Sequence, residues 1–349
     1  MVAAARRAVP RDRDLLLPEA PGAGVIGRPR ATPSGRAPEV VLADLLRAQH
    51  ARFAEVDPGL PPAVPPPPGE VIVVPDDGAG EAAGVLTHHS WPAGSAPLLW
   101  SAAEVTELHP VLGAAGRAGA DALVAEWRRR IPGHVRAASD SAAVVTWPSR
   151  DVVAARAFLD HGLVPLAVLA VRGPGPSAPG PPPDPAITVR RARDDDLEVC
   201  VGLAMDEIAY SSSVGGSVLR PDAEAVKRTA LRERFARDEP VFLAERDTRV
   251  VGLLECGVTD ATPGTWLAGL LPAGRWGYVN CASVAPGRRG RGVGHALATT
   301  ALPTLEPPGA RGTYLYYNPP NPLSSVFWPR HGYRPLWTLW EVRPATALR

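Results

Sequence analysis

Residues 278–302 have the sequence Tyr-Val-Asn-Cys-Ala-Ser-Val-Ala-Pro-Gly-Arg-Arg-Gly-Arg-Gly-Val-Gly-His-Ala-Leu-Ala-Thr-Thr-Ala-Leu. The first seven are rich in β-branched and aromatic side chains, a composition that predicts a strand. Pro286 and Gly287 end that strand, because proline gives a ladder no N–H and glycine costs conformational entropy. Residues 293–302 are rich in alanine and leucine, with apolar side chains at helical spacing, and predict a helix. The stretch therefore predicts a strand, a tight turn and a helix.

The turn between that strand and helix has the composition of an anion site. Glycines let the backbone approach a ligand, and the free N–H groups of a helix's first turn point outward at the positive end of the helix dipole. A phosphate binds there without any special side chain, and arginines add charged, forked donors. The turn contains Arg288, Arg289, Gly290, Arg291, Gly292 and Gly294.

The spacing of these glycines separates several phosphate-binding motifs. The turn lacks the Gly-Lys-Ser/Thr of a Walker loop, and Gly290-x-Gly292-x-Gly294 is not the Gly-x-Gly-x-x-Gly of dinucleotide-binding folds. Instead Arg289-x-x-Gly292-x-Gly294, with Val-x-Pro before it, resembles motif A of the GNAT family of acyl-CoA N-acetyltransferases. In that family, backbone amides of this turn hold the pyrophosphate of coenzyme A. The alternatives are an arginine- and glycine-rich loop that is simply exposed, or one that contacts RNA.

Residues 313–343 extend the resemblance. A β-prone run at residues 314–317 is followed by a turn, a short predicted helix at residues 324–330 and a glycine that ends it. The second motif of the family has an asparagine, a small residue three positions on, an aromatic pair, and then a glycine followed by an aromatic residue. The matching residues are Asn321, Ser324, Phe327, Trp328, Gly332 and Tyr333. With two motifs in the right order, this half of the chain is identified as a member of the family.

The resemblance implies acetyl-CoA as cosubstrate and direct attack of a small-molecule amine on the thioester. Backbone N–H groups of the turn would hold the pyrophosphate, and an N–H near Ser283 or Val284 would stabilise the charge on the thioester oxygen. The cofactor-binding residues so implied are Ser283, Val284, Arg288, Arg289, Gly290, Arg291, Gly292, Val293, Gly294, Asn321 and Phe327.

The general base is not fixed by the resemblance. Some family members place a glutamate six residues before the position of Val284, where this chain has Tyr278. Glu255, on the neighbouring predicted strand, is the best carboxylate candidate; the alternative is a strand residue that faces solvent or an arginine. Asn280 is a candidate for orienting a water molecule.

The general acid is also open. The family often uses a tyrosine to protonate the leaving thiolate, at a position that Trp328 occupies here. Either the thiolate leaves unassisted, or Ser324, Ser325 or Tyr333 helps. Because Tyr278 and Trp328 replace these family residues, an alternative is a protein that binds acyl-CoA as a sensor or assembly partner without turnover. A transferase of longer acyl groups is a further alternative.

The 349 residues suit two domains, and residues 173–185, rich in proline and glycine, predict a linker between them. We expect a flexible arm at 1–37, one domain at 38–172, and a catalytic domain at 186–349. A short repeat supports duplication, because His161-Gly162 recurs as His331-Gly332. In that repeat, alanines stand opposite the arginine and glycines of the turn. We therefore expect an α/β fold with α+β mixed sheets: two GNAT-like domains, each a splayed mixed sheet flanked by helices, the first one degenerate.

Charge and cysteine content restrict the partners. The formal net charge of +1 gives no argument for nucleic acid or an acidic membrane, and no apolar run reaches the length of a membrane span. Three scattered cysteines suit neither a disulfide framework nor a zinc site, so we expect no metal and a reducing cytoplasm. We expect a monomer or homodimer, with the loops at 210–218 and 262–275 lining the acceptor pocket.

Overall fold

The computed structural model describes residues 37–75, 81–135, 138–175 and 182–349. The predicted arm at residues 1–37, apart from its last residue, lies outside the described residues. So do residues 176–181, in the middle of the predicted linker.

The described chain contains both strands and helices. The strands are β1 (Glu70–Val74), β2 (Ala82–Ser90), β3 (Glu104–Val111), β4 (Ser141–Pro148), β5 (Val164–Arg172), β6 (Thr188–Arg191), β7 (Val241–Arg246), β8 (Arg249–Ala261), β9 (Gly274–Val284), β10 (Thr313–Tyr317) and β11 (Arg334–Val342). The helices are α1 (Pro38–Val56), α2 (Gly116–His134), α3 (Val152–Asp160), α4 (Leu197–Ser213), α5 (Ala223–Ala236), α6 (Val293–Ala301) and α7 (Ser324–Arg330). The strand, turn and helix predicted for residues 278–302 are β9, the segment that follows it, and α6.

The fold is mixed α/β, as expected, but its strands form one sheet and not two. The order across the sheet is β1-β2-β3-β4-β11-β5-β10-β9-β8-β7-β6. β11, the last strand of the C-terminal half, lies between β4 and β5 and is antiparallel to both. β5, the last strand of the N-terminal half, is antiparallel to β10. The segments 38–172 and 186–349 therefore share strands across their boundary.

The strand order has an internal symmetry. Each half contains the succession β-β-β-α-β-α-β, which runs from β1 to β5 in the first half and from β7 to β11 in the second. The strands β1 to β5 correspond in order to β7 to β11. From one edge the sheet runs β1, β2, β3, β4, β11, and from the other side it runs through the corresponding strands β7, β8, β9, β10, β5. The two final strands, β5 and β11, pair with each other at the centre. β6, α4 and α5 lie outside this repeated succession.

The C-terminal half of the sheet is covered on both faces because its strands alternate apolar side chains. On β8, Leu253 packs with α4 and α5, and its neighbour Leu254 packs with α6. On β9, Cys281 faces α4 and Val279 faces α6. Side chains of β8 and β9 therefore pack either with α4 and α5 on one face or with α6 on the other.

None of the helices in the described ranges is both long and apolar enough to span a membrane.

Candidate active site

The site begins where β9 and β10 separate. The two strands pair in parallel from Gly277 opposite Thr313 to Val279 opposite Leu315. β9 then continues to Val284 with β8 on its other side. Within the described residues, no strand pairs with residues 280–284 on the side of β10. Backbone groups at such an edge can hydrogen-bond an extended ligand as they would a further strand.

A β-bulge at Asn280 lies at the start of this gap. Glu255 pairs with Cys281 and Cys256 pairs with Val279, so Asn280 is the extra residue of β9. Its side chain lines the cavity at the gap. The amide is held from both sides, because Tyr278 Oη donates to Oδ1 at 3.0 Å and Nδ2 donates to Glu255 Oε2 at 3.1 Å. A bulge re-aims side chains and increases local twist, which suits the point where two strands diverge.

The glycine turn lies at the N-terminus of α6, next to the gap. Gly290 and Gly292 have φ values of 72° and 78°, in the left-handed region that favours glycine. Gly292 is the N-cap of α6 and provides no side-chain cap, so the first N–H groups of the helix are not capped by it. A Cβ at Gly294 would lie 3.2 Å from Phe327 Cε2, so the ring of Phe327 packs close to the start of the helix.

Two of the three predicted arginines lie at the cavity. Arg289 Nε donates to the carbonyl oxygen of Val284 at 3.0 Å, and its guanidinium lies 4.7 Å from the ring centre of Tyr210 on α4. Arg288 also lines the cavity and lies 3.8 Å from the Asp247 carboxylate. Arg291 is exposed and does not line the cavity. Its predicted role beside the phosphates stays a prediction.

Residues from both faces of the C-terminal half of the sheet line the cavity, with Cys281 on the α4 side and Leu254 on the α6 side. The cavity volume is about 3740 Å³. Side chains from α4, from the β10–α7 segment and from the N-terminal half all line it. The loops predicted to line the acceptor pocket contribute Tyr210, Gly216 and most of residues 261–273. Four further predicted residues, Ser283, Val284, Gly290 and Val293, lie in the cavity wall.

The second motif forms the wall beside α7. Asn321 Oδ1 accepts the backbone N–H of Leu323 at 2.9 Å and that of Ser324 at 3.3 Å, which satisfies donors at the start of α7. Ser324 Oγ donates to the carbonyl oxygens of Asn318 and Asn321 at 3.4 and 3.3 Å. Asn321, Ser324 and Phe327 all line the cavity. The side chain of Asn321 organises the helix start as well as the cavity wall.

Tyr333 is not placed to protonate a thiolate. It is buried, does not line the cavity, and shares a hydrogen bond of 2.8 Å with Thr313 Oγ1. Burial raises the pKa of its phenol well above the ordinary value. Trp328 packs edge-on against it, with ring centres 5.4 Å apart. The residue after the motif glycine is thus a core residue here, because it points into the layer between α6 and the sheet.

Glu255 lies under α4 and α5 and is fully buried. Its carboxylate is 2.7 Å from Lys227 Nζ and 3.4 Å from Arg234 Nε. Burial alone would raise the pKa of Glu255, but Lys227 and Arg234 bring it below the ordinary value. The predicted base is therefore an ionised partner in a buried ion pair, and it does not line the cavity. Its side chain lies on the α4 side of the sheet, where Lys227 and Arg234 of α5 enclose it.

Glu207 on α4 is a carboxylate that the sequence prediction missed. Its side chain lines the cavity at the gap, and Ser211 Oγ donates to Oε1 at 2.6 Å. The other oxygen, Oε2, is buried and has no hydrogen-bond partner in the described part of the chain. Burial raises the pKa of Glu207. The only sequence signal was an acidic pair, Asp206 and Glu207, within a largely apolar helix.

Ser283 faces the same side as Glu207. It pairs with Leu253, whose side chain packs with α4 and α5, and directly paired residues share a face of the sheet. Ser283 is 4% exposed, and its Oγ has no hydrogen-bond partner among residues that the structure describes. Glu207 and Ser283 thus both line one cavity, and each keeps a buried polar atom without a hydrogen-bond partner within the described residues.

The matching gap in the N-terminal half is occupied by α1. β3 and β4 pair in parallel only as far as Leu108 opposite Val145. Beyond that point, Gln49 Nε2 donates to the carbonyl oxygen of Pro110 at 3.2 Å, and the N–H of Leu112 donates to Gln49 Oε1 at 2.7 Å.

The turn that follows β3 is also different. β3 ends at Val111 and α2 begins at Gly116, whereas β9 ends at Val284 and α6 begins at Val293. The N-terminal half therefore lacks both the open gap and the long glycine turn.

In a comparison with family models, residues 211–333 match the model described as the acetyltransferase (GNAT) family. The match includes β9, α6, β10 and α7, the elements that build the gap and the turn. No curated protein matches this chain.

Solved structures similar to this chain include acetyltransferases. A GCN5-related N-acetyltransferase from Sphaerobacter thermophilus is 17% identical, with a TM-score of 0.45, and the alignment covers 75% of this chain and 76% of that one. A predicted acetyltransferase with acetyl-CoA from Clostridium acetobutylicum is 16% identical, with a TM-score of 0.31, covering 38% of this chain and 81% of that one. A GNAT family acetyltransferase from Brucella melitensis in complex with acetyl-CoA is 20% identical, with a TM-score of 0.32, covering 44% and 86%.

Proposed function

We propose that this chain, an acyltransferase with a GNAT acetyltransferase domain at residues 211–333, transfers the acetyl group of acetyl-CoA to the amine of a small molecule. The observation that carries the proposal is the meeting of two features in one cavity. These are the unpaired edge of β9 beyond Val279 and the glycine turn at the N-terminus of α6. The first suits an extended pantetheine chain, and the second suits a pyrophosphate.

The cofactor would lie across both features. The pyrophosphate would bind backbone N–H groups at Gly290 to Gly294, with Arg288 and Arg289 supplying positive charge beside it. The pantetheine would follow the edge of β9 into the gap. A backbone N–H near Ser283 or Val284 would then donate to the thioester oxygen, where negative charge develops during attack.

The reaction is a direct transfer. The neutral amine attacks the carbonyl carbon of the thioester, the C–N bond forms, and the C–S bond breaks. The amine gives up its proton, and the coenzyme A thiolate leaves. No tyrosine is placed at the position of Trp328 to protonate it, and the low basicity of a thiolate allows it to leave without help.

The cavity lining favours a cationic acceptor with an apolar or aromatic body. Glu107 of β3 lines the cavity, and so does Glu341 of β11, whose carboxylate is paired with Arg343 at 2.6 Å. Trp91, Trp100 and Tyr316 line the same cavity, and aromatic faces attract ammonium groups. Negative charge and aromatic rings together suit an amine that is protonated in solution.

The N-terminal half contributes this wall through the segment between β2 and β3. Leu99 packs with Ile208 of α4 and Ala223 of α5. Arg220, next to α5, donates to the carbonyl oxygens of Leu98 and Ser101 at 3.0 and 3.1 Å. These contacts support a role for the N-terminal half in shaping the acceptor site, as a GNAT-like copy without a cofactor site of its own.

A turnover assay tests the proposal. Release of free thiol from acetyl-CoA would be followed with a panel of mono- and diamines, and with anionic or neutral nucleophiles as controls. We expect turnover with cationic amines that carry an apolar or aromatic body, and acetylated product by mass spectrometry. Binding of acetyl-CoA without turnover on any amine would contradict the proposal and favour an acyl-CoA sensor. Faster turnover with a longer acyl-CoA than with acetyl-CoA would instead show that the chain transfers a longer acyl group.

A further inference from the structure

Two buried polar atoms beside the gap have no hydrogen-bond partner within the described residues. Oε2 of Glu207 and Oγ of Ser283 are both buried, and both residues line the cavity where β9 separates from β10. A buried polar atom without a partner is unfavourable, so a site that keeps two of them is suited to bind a polar ligand. An amine nitrogen, which offers N–H donors and accepts one hydrogen bond when neutral, matches this pair.

The position of Glu207 relative to the cofactor turn is fixed by its helix. Tyr210, one turn further along α4, lies against the guanidinium of Arg289 at 4.7 Å. Residues three apart on a helix lie on the same face, so Glu207 and Tyr210 both face the turn and the gap. Ser211 Oγ donates to Oε1 of Glu207 at 2.6 Å, while Oε2 keeps its hydrogen-bonding capacity at a residue that lines the cavity.

Other groups near the gap are committed elsewhere. Glu255 is paired with Lys227 and does not line the cavity. The hydroxyl of Tyr278 donates to Asn280, and burial raises the pKa of Tyr278 well above its ordinary value. Burial also raises the pKa of the Cys281 thiol well above its ordinary value. None of these three groups is both open to the cavity and able to accept a proton at neutral pH.

We propose that Glu207 is the proton acceptor of the reaction, and that Ser283 Oγ helps to hold the attacking nitrogen beside it. This assignment rests on the proposed acetyl transfer. The carboxylate of Glu207 takes one proton from the ammonium of the acceptor, directly or through a water molecule, which leaves a neutral amine. The nitrogen lone pair then forms the C–N bond, and the C–S electron pair departs with the thiolate. The protons left over pass to the thiolate and to solvent, so the products are the amide, the free thiol of coenzyme A and one proton.

The surroundings of Glu207 suit this role. Burial, the largest influence, raises the pKa of its carboxyl group. The Ser211 hydroxyl, Lys227 of α5 and Arg289 of the turn act in the opposite direction, and Glu255 of β8 adds to the rise. A base works best when its pKa lies near the working pH, and a raised carboxyl pKa moves towards that range.

Substitution of Glu207 tests the assignment. For Glu207→Gln we expect kcat to fall by about 10²–10⁴-fold, the usual range for a general base, with the Kd of acetyl-CoA unchanged within about twofold. The wild-type kcat should rise with pH through the pKa of Glu207, because only the ionised form accepts a proton, and this acid limb should be absent in the variant. Asp206→Asn, the neighbouring carboxylate that does not line the cavity, is the matched control and should keep both kcat and the limb.

Two further variants separate a chemical role from a structural one. Glu207→Asp keeps a carboxylate and should retain an acid limb with a reduced kcat. Ser211→Ala removes a hydrogen bond that lowers the pKa of Glu207, so the acid limb should move to higher pH.

The outcomes distinguish this assignment from the proposed function. Wild-type turnover with an unchanged kcat and acid limb in Glu207→Gln would overturn the role of Glu207 and leave acetyl transfer in place. An acid limb that does not move in Ser211→Ala would also count against Glu207. Absence of wild-type turnover on any amine would overturn both.

Discussion

Two glutamates of the C-terminal half have opposite surroundings. Glu255 is enclosed by cations, with Lys227 Nζ at 2.7 Å, and its pKa lies below the ordinary value. Glu207 has one hydroxyl partner and an oxygen without any in the described part of the chain, and its pKa lies above the ordinary value. Glu255 is fully buried and Glu207 is partly buried, and burial acts to raise the pKa of both, so the opposite directions come from their partners. The first carboxylate is fixed in its charged form, and the second can change protonation state.

The buried pair of Lys227 and Glu255 predicts strong coupling in stability. Lys227→Met leaves Arg234, at 3.4 Å, as the cation beside Glu255, and Glu255→Gln leaves Lys227 without its carboxylate. We expect each variant to lower the free energy of unfolding by about 3–5 kcal/mol. The double variant leaves no unpaired charge from the pair, so its loss should be smaller than the sum of the two. Chemical denaturation of the four proteins measures the coupling, and additive losses would contradict it.

The same pair sets a direction for the pH dependence. The pKa of Glu255 is lowered in the folded protein. Its contribution is therefore present above the pKa of the unfolded carboxyl group, and it is lost as the pH falls towards the folded value. In Glu255→Gln this part of the acid destabilisation should be missing.

At the scale of elements, the site is made by two strands that separate and by a helix that starts beside them. α1 closes the corresponding gap between β3 and β4, because Gln49 hydrogen-bonds Pro110 and Leu112 where a strand or ligand would otherwise pair. Phe53 of the same helix packs edge-on against Trp147 and Trp337. One half of the sheet is thus closed by the protein itself, and the other is left open.

Gln49→Ala should destabilise the protein without affecting the cofactor. It leaves a buried carbonyl oxygen and N–H unpaired, so we expect the free energy of unfolding to fall by about 1–3 kcal/mol. The exposed neighbour His50→Ala is the control, with an expected change within about 0.5 kcal/mol. Titration of Gln49→Ala should still give one acetyl-CoA per chain, because the N-terminal turn remains short. A second site in the variant would show that α1 competes with a ligand.

The sequence was sufficient for elements whose signals are local. Proline and glycine after Val284 end β9, and the left-handed conformations of Gly290 and Gly292 are those that only glycine adopts at low cost, so the strand, turn and helix could be predicted. The orientation of the Glu255 side chain could not be predicted from the sequence. β8 carries leucine on both faces at positions 253 and 254, so no alternation shows which way position 255 points.

Features that depend on contacts between distant parts of the chain could not be predicted from the sequence either. Glu207 meets β9 across more than seventy residues of chain, and no short motif links them. β5 and β11 are similarly apolar strands, and nothing in their own residues specifies that each pairs with the other half. The merged sheet follows from the pairing of whole strands, which is a choice among partners that the local pattern leaves open.

At the scale of the whole molecule, the two halves are interleaved and unequal. The central pair of β5 and β11 joins them into one sheet. The C-terminal half provides the gap and the turn, and the N-terminal half provides aromatic and acidic side chains that line the cavity over its own strands. On this account the chain holds one cofactor, and the acceptor approaches it over the surface that both halves form.

The most direct test is a calorimetric titration of acetyl-CoA into the wild type, Gly292→Asn and Gly292→Asp. Both side chains tolerate the left-handed φ of 78° at this position, and they differ mainly by one negative charge. We predict one site per chain in the wild type, and binding at least about tenfold weaker in the aspartate variant than in the asparagine variant, because a carboxylate would face the pyrophosphate. Equal affinity of all three proteins, or no binding by a folded wild type, would contradict a cofactor site at this turn.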